Sequence, residues 1–325
     1  MSNVIYDDEM YNEETKNKYL SLFKPGTKKL LERIFKISCP IEKELEKDLY
    51  SFGREDLRRL FYLCMPSTPS ASKGNVSYVQ KYIQWAIDNG LKKGLNPLDT
   101  VDTEWKEQFV IKQVKRFWTE DEIDEMLNPK NLVNAQDRVI IALLFEGVKG
   151  QENAEITNLR YRDVDFTNGV LSLTDEDGSK REIEVSQKCL AAIQNALSEN
   201  DYVKRNGKPS VDIRSEKANL IENDYVVRSA HTRTINFEDA DKNIVYRRLK
   251  IVAEEFEESN LTPTNIFYSG MLAYAKRLLV ERGKLGKEEY EEISRRFNVS
   301  QAVIQRLKTE FLNVQFIRNM YGLKS

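Results

Sequence analysis

Seven consecutive apolar residues, Val139-Ile140-Ile141-Ala142-Leu143-Leu144-Phe145, narrow most sharply what this chain can fold into. A helix through them is hydrophobic on nearly every side, so it cannot lie on a surface and must be wrapped by other elements. Gly147 offers the stop, because glycine takes the left-handed conformation that ends a helix at little cost. The run is far shorter than the roughly 20 residues that cross a bilayer, and no other run approaches that length. It predicts a buried central helix in a globular domain. Residues 1–12 are acidic and polar, without the apolar stretch of a secretion signal, so a cytoplasmic protein with no membrane partner is expected.

The neighbouring segments supply the wrapping. Thr119 and Glu122 form a capping box ahead of Ile123, Met126 and Leu127, which opens a domain at about residue 117. Residues 164–166, 170–173 and 181–185 are β-rich and punctuated by Asn168-Gly169 and Asp177-Gly178, the signature of a small antiparallel sheet. From residue 187 the pattern is helical apart from a polar stretch at 200–229. Upstream, helical spacing recurs at 14–23, at 27–36 (Leu30, Leu31, Ile34, Phe35) and at 54–64, with Pro40 opening a short charged segment between the last two. A Pro/Ser loop at 66–73 leads to a helix that Asn75 or Ser77 caps, with Val76, Val79, Ile83, Ala86 and Ile87 as its stripe and Gly90 as its end. The expected fold class is mainly α with a small antiparallel β-sheet. It comprises a flexible acidic tail (1–15), a helical domain (16–99), a charged linker (100–116) and a larger domain (117–325).

Composition excludes several chemistries. One histidine, His231, leaves no His-rich metal site, and Cys39, Cys64 and Cys189 are too far apart for zinc spacing. They read as reduced core cysteines. No metal and no cofactor are expected. The net charge of −2 carries no global sign of nucleic-acid binding, but residues 16–112 hold 18 basic against 12 acidic residues. That excess is compatible with phosphate contact in the first domain.

Local strings sharpen this. The string from Ser72 to Ala86, followed by Gly90 and Asn96-Pro97, resembles the end of the core-binding domain of the tyrosine recombinases, or phage integrases. Leu143-Leu144-Phe145-Glu146-Gly147-Val148-Lys149, then Glu155-Ile156-Thr157-Asn158-Leu159 and Tyr161-Arg162-Asp163-Val164-Asp165-Phe166, resembles the box that carries their first catalytic arginine. The resemblance covers about residues 14–312 and implies a two-domain clamp around duplex DNA. In that family a tyrosine attacks a DNA phosphate while two arginines hold its non-bridging oxygens, and a hairpin lysine and a histidine or lysine move protons.

Against that pattern, Lys149 stands where the first arginine is expected, and the spacing from it to Glu155 is longer than usual. Lys180, beside Arg181 and the Asp177-Gly178 turn, is either the hairpin lysine or an ordinary exposed turn lysine. In Thr262-Pro263-Thr264-Asn265-Ile266-Phe267-Tyr268-Ser269, Thr264 replaces the histidine, Phe267 the second arginine and Tyr268 the next histidine. Phenylalanine cannot donate to a phosphate. In Phe297-Asn298-Val299-Ser300, Val299 replaces a histidine, and Lys308 or Phe311 falls near the position of the nucleophile. Tyr321 is the only later tyrosine and reads as packing. Such a catalytic unit fails when single members are lost, so no enzyme activity is expected.

Residues 289–308 read separately as a helix-turn-helix, with Ile293, Phe297, Val303, Ile304 and Leu307 inward and Asn298-Val299-Ser300 as the turn. Ser300, Gln301, Gln305 and Arg306 would then face a major groove; alternatively the segment is simply packing near the third box. The resemblance adds DNA contacts from Lys73, Ser77 and Lys81 in the first domain and from Lys149, Lys180, Arg181, Tyr268 and Ser269 in the second. The pattern of missing residues resembles the integrase-related repressors of SPβ-type temperate phages. It implies a repressor that binds double-stranded operator DNA and maintains lysogeny, as a homo-oligomer or with a phage regulatory partner. The other readings are a diverged active recombinase using Tyr268 or Tyr321, and an accessory protein that docks a true recombinase through residues 301–321.

Overall fold

The computed structural model describes residues 9–110, 115–208, 215–231, 240–241 and 243–323. The chain divides into two units, Met1–Val114 and Lys115–Ser325. Among the described residues it is mainly helical, with two small antiparallel sheets.

The first unit holds α1 (Glu13–Leu20), α2 (Pro25–Leu45), α3 (Arg54–Leu63), α4 (Pro69–Asp88) and α5 (Thr103–Glu107). Their core combines Leu31, Ile34, Leu57, Leu60, Val76, Val79 and Ile83 with Tyr19, Phe35 and Tyr82. Three expectations change here. Helix α2 runs straight through Pro40, which was to open a separate segment. An internal proline costs about 3 kcal/mol, but it is flanked by the buried Ile37, Ile41 and Glu42. The Glu42 carboxylate is held by Lys16 Nζ at 2.6 Å, Ser38 Oγ at 2.7 Å and the Leu49 amide at 2.6 Å. Helix α4 starts at Pro69, not near Asn75 or Ser77, because Thr68 Oγ1 accepts from the Ala71 amide and Pro69 sits where a missing N–H is harmless. The expected linker is partly structured: α5 lies within it, and Phe109 is buried against Phe61. The linker residues 111–114, Lys112 included, and the tail residues 1–8 lie outside the described residues. The rest of the expected tail reaches into α1, and the Tyr11 carbonyl accepts from buried Lys16.

The second unit is built on α7 (Ala135–Glu146), the helix of the apolar run, entered after α6 (Glu120–Met126). Residues Val139 to Leu144 are all at most 3% exposed. The short α8 (Ala154–Thr157) precedes β1 (Val164–Asp165), β2 (Val170–Thr174) and β3 (Lys180–Glu184), which form one antiparallel sheet in that order. Leu171 and Ile183 pair across it and point into the core. After α9 (Gln187–Ser198), the polar stretch contains a second hairpin, β4 (Asp201–Val203) with β5 (Lys217–Asn219). Its strands are three residues each, too short to show a hydrophobic alternation that could have announced it. Then come α10 (Ile244–Glu255), α11 (Pro263–Arg282), α12 (Lys287–Arg296), α13 (Gln301–Glu310) and α14 (Val314–Tyr321).

Helix α7 packs against α9 and α11. The approach to α11 requires Gly270, since a Cβ there would lie 1.7 Å from the Phe145 carbonyl oxygen. A second cluster, formed by Phe267, Met271, Leu272, Ile293, Phe297, Ile304, Leu307 and Phe311, fastens α12, α13 and α14 to α11. All three cysteines are free and buried. No described helix is long and apolar enough to cross a membrane.

Candidate functional site

Helix α7 ends at Gly147 with φ +100°, and a Cβ there would press on Phe297 Cδ1 at 3.0 Å. Two residues on, Lys149 is drawn inward. Its amide donates to Glu155 Oε2 at 2.8 Å and its Nζ to the Gly150 carbonyl at 3.4 Å. Burial holds the ammonium below the usual lysine range, with Asp175 and Glu155 opposing the effect. The extra length before Glu155 becomes a left-handed loop, with positive φ at Gly150, Glu152 and Asn153. Asp175, just after β2, closes that loop by accepting from the Gln151 amide at 2.7 Å.

Arg181 on β3 does not face solvent as an arginine poised for DNA would. Its Nε and Nη2 clasp Glu155 at 2.5 and 2.7 Å, its Nη2 also donates to the Gly147 carbonyl, and its Nη1 to the Arg296 carbonyl at 2.8 Å. Both partners are largely buried, with side-chain exposures of 17% and 2%. Lys180, one residue earlier and paired in register with Thr174, remains exposed.

The second box forms the start of α11, capped by Thr262 Oγ1 on the Asn265 amide. Phe267 is 5% exposed and meets Phe297 edge-on at 5.3 Å. The position of an expected arginine is thus part of an aromatic core. Ser269 is corrected as a DNA contact: it is fully buried, accepts from the Trp118 amide at 3.0 Å and donates to the Asn265 carbonyl at 2.7 Å. Tyr268 is half-buried, and Arg306 Nη2 donates to its hydroxyl at 3.4 Å. Arg306 also reaches Glu310 at 3.5 Å, so it leans back onto its own helix instead of standing free for a base.

Helices α12 and α13 flank a turn in which Asn298 is left-handed at φ +48°. Ser300 Oγ accepts from the Val303 amide and caps α13, while Gln301 and Gln305 are exposed. Lys308 lies over the Tyr290 ring at 4.3 Å. Tyr321, a possible nucleophile, has a buried hydroxyl that burial pushes well above the ordinary tyrosine value, and Lys276 covers its ring. In the first unit, Lys73, Ser77 and Lys81 recur every four residues along α4 and share a face. Lys73 is paired with Glu107 at 2.8 Å, Ser77 is half-buried and Lys81 is exposed.

Thus the chain brings Lys149 and Arg181 together around Glu155, and Tyr268 together with Arg306. The roles of Glu155 and Asp175 are not apparent from the sequence. Glu155 was quoted within its box, but its pairing with an arginine 26 residues away leaves no local trace. Among the described residues, no group of three or more His, Cys, Asp or Glu side chains is placed to hold a metal. A largely apolar groove of about 560 Å³ lies beside the site, lined by Leu127, Phe145, Cys189, Tyr274 and Phe297 among others.

Comparison with known proteins places this architecture. The family described as "MrpR, C-terminal catalytic domain" matches residues 117–322, and "MrpR, N-terminal core-binding domain" matches residues 10–88. The chain belongs to the MrpR family. Its MrpR-type sequence is 31% identical over 293 residues to the SPbeta prophage-derived uncharacterized protein YopR of Bacillus subtilis (strain 168), covering 89% of each chain. In fold, this MrpR-family chain is similar to a lambda integrase dimer bound to a COC' core site, with a TM-score of 0.54 and 11% identity over 98% of this chain and 80% of that one. A variant of the Tn1549 transposon integrase in complex with a circular intermediate DNA gives a TM-score of 0.51 and 16% identity, covering 97% and 100%. The fold is that of the tyrosine recombinases.

Proposed function

We propose that the chain binds double-stranded DNA at operator sites and represses a prophage programme without cutting strands. The observation that carries this reading is the chemistry of the scaffold's phosphate-holding place. Phe267 fills one arginine position with an apolar ring, and Lys149 occupies the other between Glu155 and Asp175. The guanidinium at hand, Arg181, already holds Glu155. Phe267 offers no donor and Arg181 is already engaged with Glu155, whereas transition-state stabilisation needs donors aimed at the developing charge.

DNA binding draws support from the fold, since the integrases it resembles were seen with DNA. A phage role draws support from the prophage origin of the relative. On this reading the exposed Gln301 and Gln305 of α13 read base edges, as glutamine pairs bidentately with adenine. Lys81 and Lys180 contribute phosphate contacts, and copies assemble on the DNA. The second reading, a diverged recombinase, is favoured by the description of the matching family as a catalytic domain and by the Arg306 contact to the Tyr268 hydroxyl.

Binding is tested by gel shift of labelled prophage duplexes at low salt. A retarded complex is expected. Gln301→Ala and Gln305→Ala should each cost roughly 1–3 kcal/mol on the preferred sequence and little on random DNA. Equal losses on both would remove α13 as the reading element. No retardation of any duplex would leave only an accessory role beside a true recombinase.

A further inference from the structure

Two arginines from opposite ends of the second unit's sequence flank one aromatic patch, formed by Phe117, Phe311 and Tyr268. Arg306 on α13 reaches Tyr268 Oη on α11 at 3.4 Å and Glu310 Oε1 at 3.5 Å. Arg116, just ahead of α6, lies over the Phe117 ring at 5.0 Å. Burial disfavours its charge, Glu310 and Tyr268 favour it electrostatically, and Arg306 opposes it. The floor is aromatic, with Phe311 at 4.5 Å from Phe117 and 5.2 Å from Tyr268.

The charges do not balance. Two guanidiniums face one carboxylate, Glu310, whose side chain is 9% exposed. Arg116 Nε and Glu310 Oε1 are buried without a hydrogen-bond partner. A half-buried cation with an unpartnered N–H is costly unless an anion completes it. Arginine forks match the paired oxygens of a phosphate, and a stacked guanidinium is held in the orientation that such pairing needs.

We propose that Arg116, Arg306 and the Tyr268 hydroxyl form a site for a single backbone phosphate of duplex DNA. The inference rests on the DNA-binding reading above and gives it a specific anchor, built from arginines other than those that the recombinase pattern would supply. The site lies one residue along α11 from Phe267, on the same helix that carries α13, so the anchor would set where Gln301 and Gln305 meet the groove. Phosphate contacts fix register in this way while base contacts specify sequence.

The test is the salt dependence of binding to a labelled random-sequence duplex, measured by fluorescence anisotropy. Arg116→Ala and Arg306→Ala should each weaken binding several-fold at about 0.1 M salt. The double variant should lower the slope of log K against log salt by about one, the value for one phosphate. Lys250→Ala, an exposed charge on α10, should leave the slope unchanged. Arg116→Gln serves if Arg116→Ala does not fold, and melting curves check each variant. A fall of about two would mean two separate contacts and overturn the shared site. An unchanged slope, or an equal fall from Lys250→Ala, would overturn it as well. Wild-type protein that binds no duplex would instead overturn the DNA-binding reading itself, and this site with it.

Discussion

Phe267→Arg, the substitution that restores the residue type expected at this place, should lower folding stability by about 3–5 kcal/mol. It is not expected to bring back strand cleavage. Removing a buried phenylalanine ring costs about 3–5 kcal/mol through lost contacts and the space left behind. The guanidinium then has to be accommodated where Phe297 and Met271 supply no acceptor and the Tyr268 hydroxyl already accepts from Arg306. The buried carboxylate of Glu155 is already clasped by Arg181. Unless the arginine escapes to water, the desolvation cost adds to the loss of packing. Phe267→Leu, which keeps the site apolar, should cost far less. Denaturant unfolding of the three proteins decides the matter. An arginine variant as stable as the wild type would show that this position still accommodates a phosphate-binding residue.

Glu155→Ala should be comparably severe, at about 3–5 kcal/mol, because it leaves Arg181 part-buried and without its carboxylate. The pair does more than neutralise charge. Through it β3 is tied to the turn after α7, and through the Arg181 bond to the Arg296 carbonyl that turn is tied to the end of α12. The double variant Glu155→Leu with Arg181→Met should recover most of the loss, since two apolar chains of similar volume avoid both desolvation penalties. If Arg181 instead served as a DNA contact, Arg181→Ala would weaken binding while leaving the denaturation midpoint nearly unchanged. The midpoint is instead expected to fall, because Arg181 holds Glu155.

The parts of this structure that were legible in the sequence are those encoded locally. The run from Val139 to Phe145 can only be a buried helix, and the Asn168-Gly169 and Asp177-Gly178 turns place the hairpin strands to within a residue. Features set by partners distant in sequence were not legible. Pro40 looked like a boundary because nothing nearby reveals that Glu42, two residues on, is clasped by Lys16 on another helix. Residues 100–116 looked like a solvated linker because their charges hide Phe109, whose burial depends on Phe61. The same limit applied at the site. Arg181 and Lys180 are neighbours with the same charge; strand alternation puts Arg181 on the inward face with Ile183, and there the distant Glu155 on α8 makes it structural while Lys180 stays exposed. Ser269 looked available beside Tyr268, yet a helix turns adjacent residues about 100° apart, and that rotation carries it against Trp118. The missing arginine was legible at once, because the identity of residue 267 needs no geometry to be read.

On the function proposed above, this chain grips duplex DNA on a recombinase scaffold without forming a bond to it. The most direct measurement uses a nicked suicide duplex carrying the preferred site, in which any attacked phosphate would trap the enzyme as a covalent complex. After incubation the sample is run under denaturing conditions and the labelled strand is followed. Retardation in the native gel is expected, with no label migrating with protein in the denaturing one. A denaturant-resistant adduct that disappears with Tyr268→Phe or Tyr321→Phe would contradict it and establish a diverged recombinase.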